Sequence, residues 1–240
     1  MAHTLLISDL HLAADHPRSS AAFRRFIATL ALEAEALYIL GDLFEYWAGD
    51  DDLSNSFNAE VGEALHSLAA QGIKIYLMHG NRDLLMGEEL ARAAGATLLD
   101  DPTQLDLYGV PTLLSHGDAL CTDDVEYQKF RVQIRSAEFR KKFLAQPLAD
   151  RKIYIEQLRQ HSTAAKQIKD STIMDVNNEA VAELLREHRY PRLIHGHTHR
   201  PNRHEHRVDG HICERWVLSD WDQQPSALRC DRQGCRTISC

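Results

Sequence analysis

Thr4-Leu5-Leu6-Ile7-Ser8-Asp9-Leu10-His11 is the stretch on which the reading of this 240-residue chain turns. An apolar, strand-forming run stops at two metal-ligand side chains one residue apart. The pattern recurs four times. Leu37–Leu40 runs into Gly41-Asp42, Ile73–Met78 into Gly80-Asn81-Arg82-Asp83, Thr112–Leu114 into Ser115-His116-Gly117-Asp118, and Leu193–Ile194 into Gly196-His197-Thr198-His199. Side chains at i and i+2 of a strand point to one face, so Asp9 and His11 are expected to grip a single ion. In open α/β sheets ligands collect beyond the carboxyl ends of the strands, where all five segments fall. Glycines at 41, 80, 117 and 196 permit the sharp exits that turn the next side chain inward. One such segment alone is more often a turn with a surface histidine. Five in succession describe one site.

Working outward, strands alternate with helical patterns near Ser20–Glu33 and Phe57–Ala70, then the strand Lys74–Met78 and a helix over Glu88–Ala94 stopped by Gly95. In the second of these helices Phe57, Val61, Leu65 and Leu68 share a face. This alternation predicts parallel βαβ units. Short strands flank Gly109-Val110-Pro111. From about 122 to 170 strand signals vanish and helical spacing takes over, interrupted at Pro147. That stretch holds eleven Lys and Arg against seven Asp and Glu, a net charge of +4 where the whole chain carries −8. A helix at Asn178–His188 and a strand at Arg192–Ile194 return to the site. The tail reads as antiparallel strands at Arg203–Val208, Ile212–Leu218, Ala227–Cys230 and Arg236–Ser239, with a hairpin turn at Asp209-Gly210.

The length suits one large domain, 1–240, with the 122–170 segment inserted as a helical cap. An apolar fraction of 44% with 26% charged residues is that of a soluble globular protein, and the negative charge argues against a general nucleic-acid binder. No stretch reaches the roughly 18 apolar residues of a bilayer span, and the N-terminus lacks a signal-peptide pattern, so a cytoplasmic protein is expected. Five cysteines without a framework spacing read as reduced thiols rather than disulfides, and Cys230, Cys235 and Cys240 as bystanders rather than a zinc site.

The donors mix carboxylate, imidazole and one amide, which suits Mn(II), Fe(II) or Zn(II) better than Ca(II) or Mg(II). Two ions about 3.5–4 Å apart need a shared carboxylate, and Asp42 is the natural bridge. A two-metal site is a device for cleaving phosphate esters.

The order Asp-x-His, Gly-Asp, Gly-Asn-x-Asp, His-Gly-Asp, Gly-His-x-His resembles the calcineurin-like metallophosphoesterases. The resemblance implies an α/β (α+β sandwich) fold: two packed mixed β-sheets flanked by helices, with the metals where strand ends meet. It implies metal ligands Asp9, His11 and His199 on one ion, Asn81, His116 and His197 on the other, and Asp42 on both. Many members carry His in the third segment where this chain has Arg82. Arginine cannot release a proton near neutral pH, but its planar fork grips phosphate. That favours a substrate whose leaving group is already good, such as one half of a pyrophosphate.

Longer strings narrow the resemblance: Ser8-Asp9-Leu10-His11-Leu12, Gly41-Asp42-Leu43-Phe44-Glu45, Met78-His79-Gly80-Asn81-Arg82-Asp83, His195-Gly196-His197-Thr198-His199-Arg200-Pro201 and Asp220-Trp221-Asp222. Together they are similar to the pyrophosphatases of lipid A biosynthesis that hydrolyse a UDP-diacylglucosamine. That resemblance implies water attack on the α-phosphorus, release of UMP and diacylglucosamine 1-phosphate, two Mn2+ per chain, and catalytic roles for Asp42, Asn81, Arg82 and His116. Substrate contacts are implied at Asn81, Arg82, Asp124, Ser162, Lys166, Lys169 and His197. Ser162, Lys166 and Lys169 share one helical face at i, i+4 and i+7. A diacyl sugar needs an apolar trough, for which Phe130, Ile134, Phe139, Phe143, Leu144, Ile153 and Ile155 of the cap are candidates. The cap's basic residues would meet the anionic cytoplasmic face of the inner membrane as a peripheral contact. No protein partner is expected. The competing readings are a dinuclear phosphoesterase acting on nucleotides, cyclic nucleotides or phosphoproteins, and a non-catalytic scaffold, which typically loses ligands where this chain keeps all seven.

Overall fold

In the computed structural model the described residues are 2–168, 175–222 and 224–240, with 161–168 described for the backbone only. The opening run forms strand β1 (Thr4–Ile7), which pairs in parallel with β2 (Ala36–Leu40); β2 pairs in parallel with β3 (Lys74–Met78), and β3 with β4 (Ala96–Leu99). Beyond β1 the sheet continues through two antiparallel tail strands, β10 (Ser226–Asp231) and β11 (Gly234–Ser239), giving the order β11-β10-β1-β2-β3-β4. A second sheet, ordered β5-β6-β7-β9-β8, comprises β5 (Thr103–Leu107), β6 (Val110–Ser115), β7 (Arg192–His195), β8 (Asn202–Val208) and β9 (His211–Val217). Both sheets are mixed, as expected.

The continuous apolar runs of β1 and β2 follow from burial on both faces. Alternate residues divide between two cores. Leu6, Tyr38, Leu40 and Met78 meet Leu107, Leu114, Ile194 and Leu218 of the second sheet, forming the layer between the sheets. Leu5, Ile7, Leu37 and Ile39 face outward onto helices α1 (Pro17–Ala28), α2 (Ser56–Ala69) and α3 (Glu88–Ala94), meeting Phe23, Phe26, Leu65 and Leu90. A fully buried leucine in such a layer contributes about 2 kcal/mol. On the far side of the second sheet, Val181 and Leu185 of α7 (Asn178–Glu187) cover Leu113, Leu193 and Cys213.

Several boundaries move. The first helix begins at Pro17, whose fixed φ suits a first helical turn, and stops at Ala28; Leu30–Glu33 is a separate 3-10 turn. Strand β4 was hidden in sequence because only four residues separate Gly95, left-handed at φ 63°, from Asp100. The tail is not one meander: β9 runs parallel to β7, whereas β10 and β11 cross to the first sheet. Asp209 and Gly210 both have positive φ, as the tight hairpin requires. The basic interval carries α4 (Val125–Arg135), α5 (Ala137–Leu144) and α6 (Leu148–Ile168). No described helix is long and apolar enough to cross a membrane.

The expectation of reduced thiols fails at one pair. Cys230 and Cys235 stand directly opposite in the β10–β11 hairpin, with Cα atoms 4.2 Å apart, and are joined as a disulfide. Cross-strand register, not sequence spacing, brings them together. The Ser219 hydroxyl pairs with that of Ser226 at 2.6 Å.

Candidate metal-binding active site

All five ligand-bearing segments lie just beyond strand ends and are stitched to one another. Asp9 N donates to Gly41 O (3.1 Å), His11 N to Asp42 O (3.0 Å) and Gly196 N to His116 O (3.0 Å). Asp83 closes the second and third segments together, its carboxylate accepting from Gly80 N (2.8 Å), Leu43 N (2.7 Å) and Asp42 N (3.2 Å). Burial and the neighbouring Asp42 carboxylate push Asp83 up to about 6, against the pull of those backbone donors.

The reason Asp9 and His11 converge differs from the one the sequence suggests. Neither lies in a strand; β1 ends at Ile7, and both residues sit in the left-handed region at φ 54° and 49°. Asp42, His197 and His199 do the same, at 53°, 67° and 54°, so five of the nine non-glycine residues with positive φ, among those described, are candidate ligands. Such conformations persist only where the surroundings enforce them, and they concentrate at functional sites. The turns, not a period of two, aim these side chains.

The donors form two overlapping groups. Asp9, His11 and His199 offer ligand atoms within 4.8 Å of one another, and so do Asp9, Asp42 and His116. His199 Nε2 lies 3.3 Å from Asp9 Oδ1 and 3.4 Å from His11 Nε2. Asp42 Oδ2 stands between the groups, 4.0 Å from His11 Nε2 and 3.9 Å from His116 Nε2. Asn81 Oδ1 is 3.1 Å from His116 Nε2, and the His197 ring packs edge-on to His116 with centroids 5.1 Å apart. All seven residues singled out as ligands thus converge. The geometry shares Asp9 between the groups, whereas the resemblance gives it to one ion.

The donor set fits divalent cations. His116 Nδ1 donates to Leu40 O at 2.9 Å, so its Nε2 can meet the acceptor Asn81 Oδ1 only across a proton or a metal ion. His11 and His199 likewise direct ring nitrogens at each other beside two buried carboxylates, and Asp9 Oδ1 is buried without a well-aligned donor. Lone pairs so opposed call for positive charge between them. Burial disfavours a charged His116, yet the carboxylates of Asp42, Asp9 and Asp118 outweigh it and push it up to about 9. Burial likewise opposes the Asp9 charge, but its contact with His199 and the fields of His116 and His11 hold its carboxyl far below the usual range. Glycines make room for these contacts: a Cβ on Gly41 would lie 2.5 Å from His116 Nδ1, and one on Gly196 within 2.3 Å of Asp9 Oδ2.

Arg82 N donates to Asp42 Oδ1 at 2.8 Å, and its guanidinium reaches Glu45, Nη1 standing 3.5 Å from Oε1. The helices of the basic interval lean on the same rim. Asp118, fully buried, accepts from Tyr127 Oη (3.0 Å), Arg131 Nε (2.8 Å) and Arg135 Nη2 (3.2 Å) of α4, and the Tyr127 ring stacks on His197. Arg159 of α6 pairs with Glu45 at 2.9 Å, while Arg151 joins Ala48 O and Asp51, and Lys152 lies 2.5 Å from Asp52. The sequence alone assigns Glu45, Asp118, Tyr127 and Arg159 no role, because their partners stand 9 to 114 positions away. Glu45 and Asp118 had a signal nonetheless, standing three and two residues after candidate ligands.

Of the substrate-contact residues, Asp124 is the N-cap of α4, accepting from Tyr127 N at 3.1 Å. Lys169 lies outside the described residues, as do the side chains of Ser162 and Lys166. The expected apolar trough is corrected in part. Ile134 and Phe143 are buried, and Phe143, Phe139 and Ile155 pack on the core of the first sheet, because α5 and α6 lie against its outer loops. A groove of about 400 Å³ remains, lined by Tyr46, Lys152, Ile153, Ile155, Glu156 and Gln157.

Residues 2–201 match the calcineurin-like phosphoesterase family. The chain belongs to that family. Within this calcineurin-like family it is similar to curated UDP-2,3-diacylglucosamine hydrolases. That of Aromatoleum aromaticum is 54% identical over 96% of this chain and 94% of the relative. The Marinobacter nauticus protein is 50% identical over 94% and 96%, and the Aeromonas hydrophila protein 48% identical over 95% and 94%. The family's divalent cations match the donor set found here.

Proposed function

We propose that the chain hydrolyses the pyrophosphate bond of UDP-2,3-diacylglucosamine by attack of water on the α-phosphorus, releasing UMP and 2,3-diacylglucosamine 1-phosphate in lipid A biosynthesis. The observation that carries this is the near-full-length identity of about half to relatives bearing that name, supported by the clustering of Asp9, His11, Asp42, His116 and His199 into groups that could hold metal.

Two Mn2+ fit the mixed donors, held by Asp9, His11 and His199, by Asn81, His116 and His197, and jointly by Asp42. Bound there, they would promote ionisation of the attacking water and draw charge from the phosphoryl oxygens. Arg82 would take up charge on the pyrophosphate through its fork, with Asn81 and His197 as further substrate contacts. The leaving group is a phosphate monoester, which departs without a proton, so an arginine suffices where a simple ester would need an acid. Asp124, Ser162, Lys166 and Lys169 would hold the substrate from the helical cap, residues 122–170. The groove beside Ile153 and Ile155 offers apolar surface to an acyl chain. Exposed Val132, Leu144, Ile153 and Tyr154 among basic neighbours suit peripheral contact with an anionic membrane surface, each Lys or Arg contributing about 1 kcal/mol there.

With Mn2+, the purified protein should release UMP from the diacylated UDP-sugar far faster than from its unacylated parent. Chelation, Asp42→Ala and His116→Ala should each abolish this, and reaction in ¹⁸O-water should label UMP. A protein that leaves this substrate intact while cleaving simple phosphodiesters would refute the assignment.

A further inference from the structure

We infer that Glu45 is a positioning residue that sets His11 from behind and is itself held by one arginine from the catalytic loop and one from the cap helix. The inference rests on the reading of His11 as a metal ligand. Its two carboxylate oxygens do different work. Oε2 lies 3.0 Å from His11 Nδ1; Oε1 meets Arg159 Nη2 at 2.9 Å and Arg82 Nη1 at 3.5 Å. The contact is an ion-pair approach rather than an aligned hydrogen bond, and a carboxylate that close favours the tautomer with its proton on Nδ1, which leaves the Nε2 lone pair for the site. Here Nε2 is the atom facing Asp42 and His199.

The device matters most at this histidine. His116 gets the same orientation from a backbone carbonyl, Leu40 O, deep in the core. Asp220 stands behind His199, but at 4.0 Å its oxygen is beyond hydrogen-bond range. His11 sits on a left-handed residue, and among the described residues no backbone acceptor holds its Nδ1. Glu45 is rigid enough to do so. Its N donates to Leu12 O at 3.0 Å, and Leu12 bridges Phe44, so the segments carrying the two side chains are fastened together. The two guanidiniums neutralise Glu45 while leaving Oε2 free for His11. Arg159 thereby places α6 one residue away from a metal ligand.

The test is a Mn2+ titration by calorimetry, without substrate, on four proteins: wild type, Glu45→Ala, His11→Ala and the double variant. Glu45→Ala should bind Mn2+ about 10–100-fold more weakly than wild type, the usual effect of losing an outer partner of a ligand. In the His11→Ala background Glu45→Ala should cost nothing further. Equal weakening in both backgrounds would show Glu45 acting through its field alone and overturn the inference, as would unchanged affinity of a folded Glu45→Ala. Unfolding in chelator checks each fold. If Glu45→Ala does not fold, Glu45→Gln takes its place in the cycle, with a smaller loss because its amide oxygen can still face Nδ1. A wild type that bound no Mn2+ would instead count against the metal assignment itself.

Discussion

Gly80→Ala should disable the site without touching a ligand. A Cβ on Gly80 would fall 2.0 Å from Asp42 Oδ1, 2.4 Å from Asp42 N and 2.8 Å from Asp42 Cγ, where contact needs more than 3.0 Å. The backbone nitrogen cannot yield easily, since it donates to Asp83 and lies only two residues beyond Leu40, which is paired with Met78 in the sheet. The carboxylate must therefore move, breaking its 2.8 Å bond from Arg82 N. A displacement of about 1 Å exceeds the ~0.2 Å tolerance of a metal ligand several-fold, and misplacement on that scale costs about 100-fold in rate. We expect Gly80→Ala to lose at least about 100-fold in hydrolysis and to bind Mn2+ weakly, with about 1–3 kcal/mol lost to overpacking. Gly80 has an ordinary backbone, so the effect reports proximity and not φ. Gly72→Ala is the converse control: φ is 92° with nothing near its Cβ, so stability should fall by about 1 kcal/mol with Mn2+ affinity unchanged. Wild-type Mn2+ affinity and rate in Gly80→Ala would refute the placement of Asp42 as shared ligand.

Two further outcomes follow from buried charges. Burial and the Arg215 guanidinium, 3.1 Å from its Nε2, lower His195 to about 4, while its Nδ1 donates to Gly196 O. The unfolded chain takes up this proton near pH 6.5 and the fold resists it. Its contribution is therefore complete above pH 6.5 and lost as pH falls toward 4, about 3 kcal/mol in all. In chelator, urea unfolding of His195→Gln should show a shallower acid loss than wild type between pH 6.5 and 4; parallel curves would exclude this origin. Asp118→Asn should cost about 3–5 kcal/mol, because Arg131 and Arg135 would lose their common anion in a largely buried setting. Hydrogen exchange should quicken in 125–135 while β1–β3 stay protected, and unchanged stability would sink the hub role.

The parallel half of the first sheet was legible because its strands are buried on both faces and read as unbroken apolar runs. The ligands were legible because each terminates such a run. What stayed hidden is long-range. Strand β4 is four residues at an edge, and the crossing of β10 and β11 to the first sheet is a pairing choice no local pattern records. Glu45 and Asp118 look like loop acids until Arg159, Arg131 and Arg135 arrive from helices up to 114 positions away. Even the expected convergence of Asp9 and His11 rested on the wrong local geometry, since strand alternation was invoked where left-handed turns do the aiming.

Those turns explain a choice of residue that otherwise looks costly. A left-handed conformation penalises a residue other than glycine by roughly 1–2 kcal/mol, so glycine would relieve Asp9, His11, Asp42, His197 and His199. At each position, however, the residue that must turn sharply is also the one that must supply the donor atom. Glycine is instead used one step away, at 41, 80 and 196, where a Cβ would strike a neighbouring ligand. The strain is carried by the two packed sheets and by the backbone bonds that fasten the five loops together. A site so built is rigid before any substrate arrives. We expect specificity to come from the helical interval, which meets the site through Arg159 on Glu45, Arg131 and Arg135 on Asp118, and the Tyr127 ring on His197.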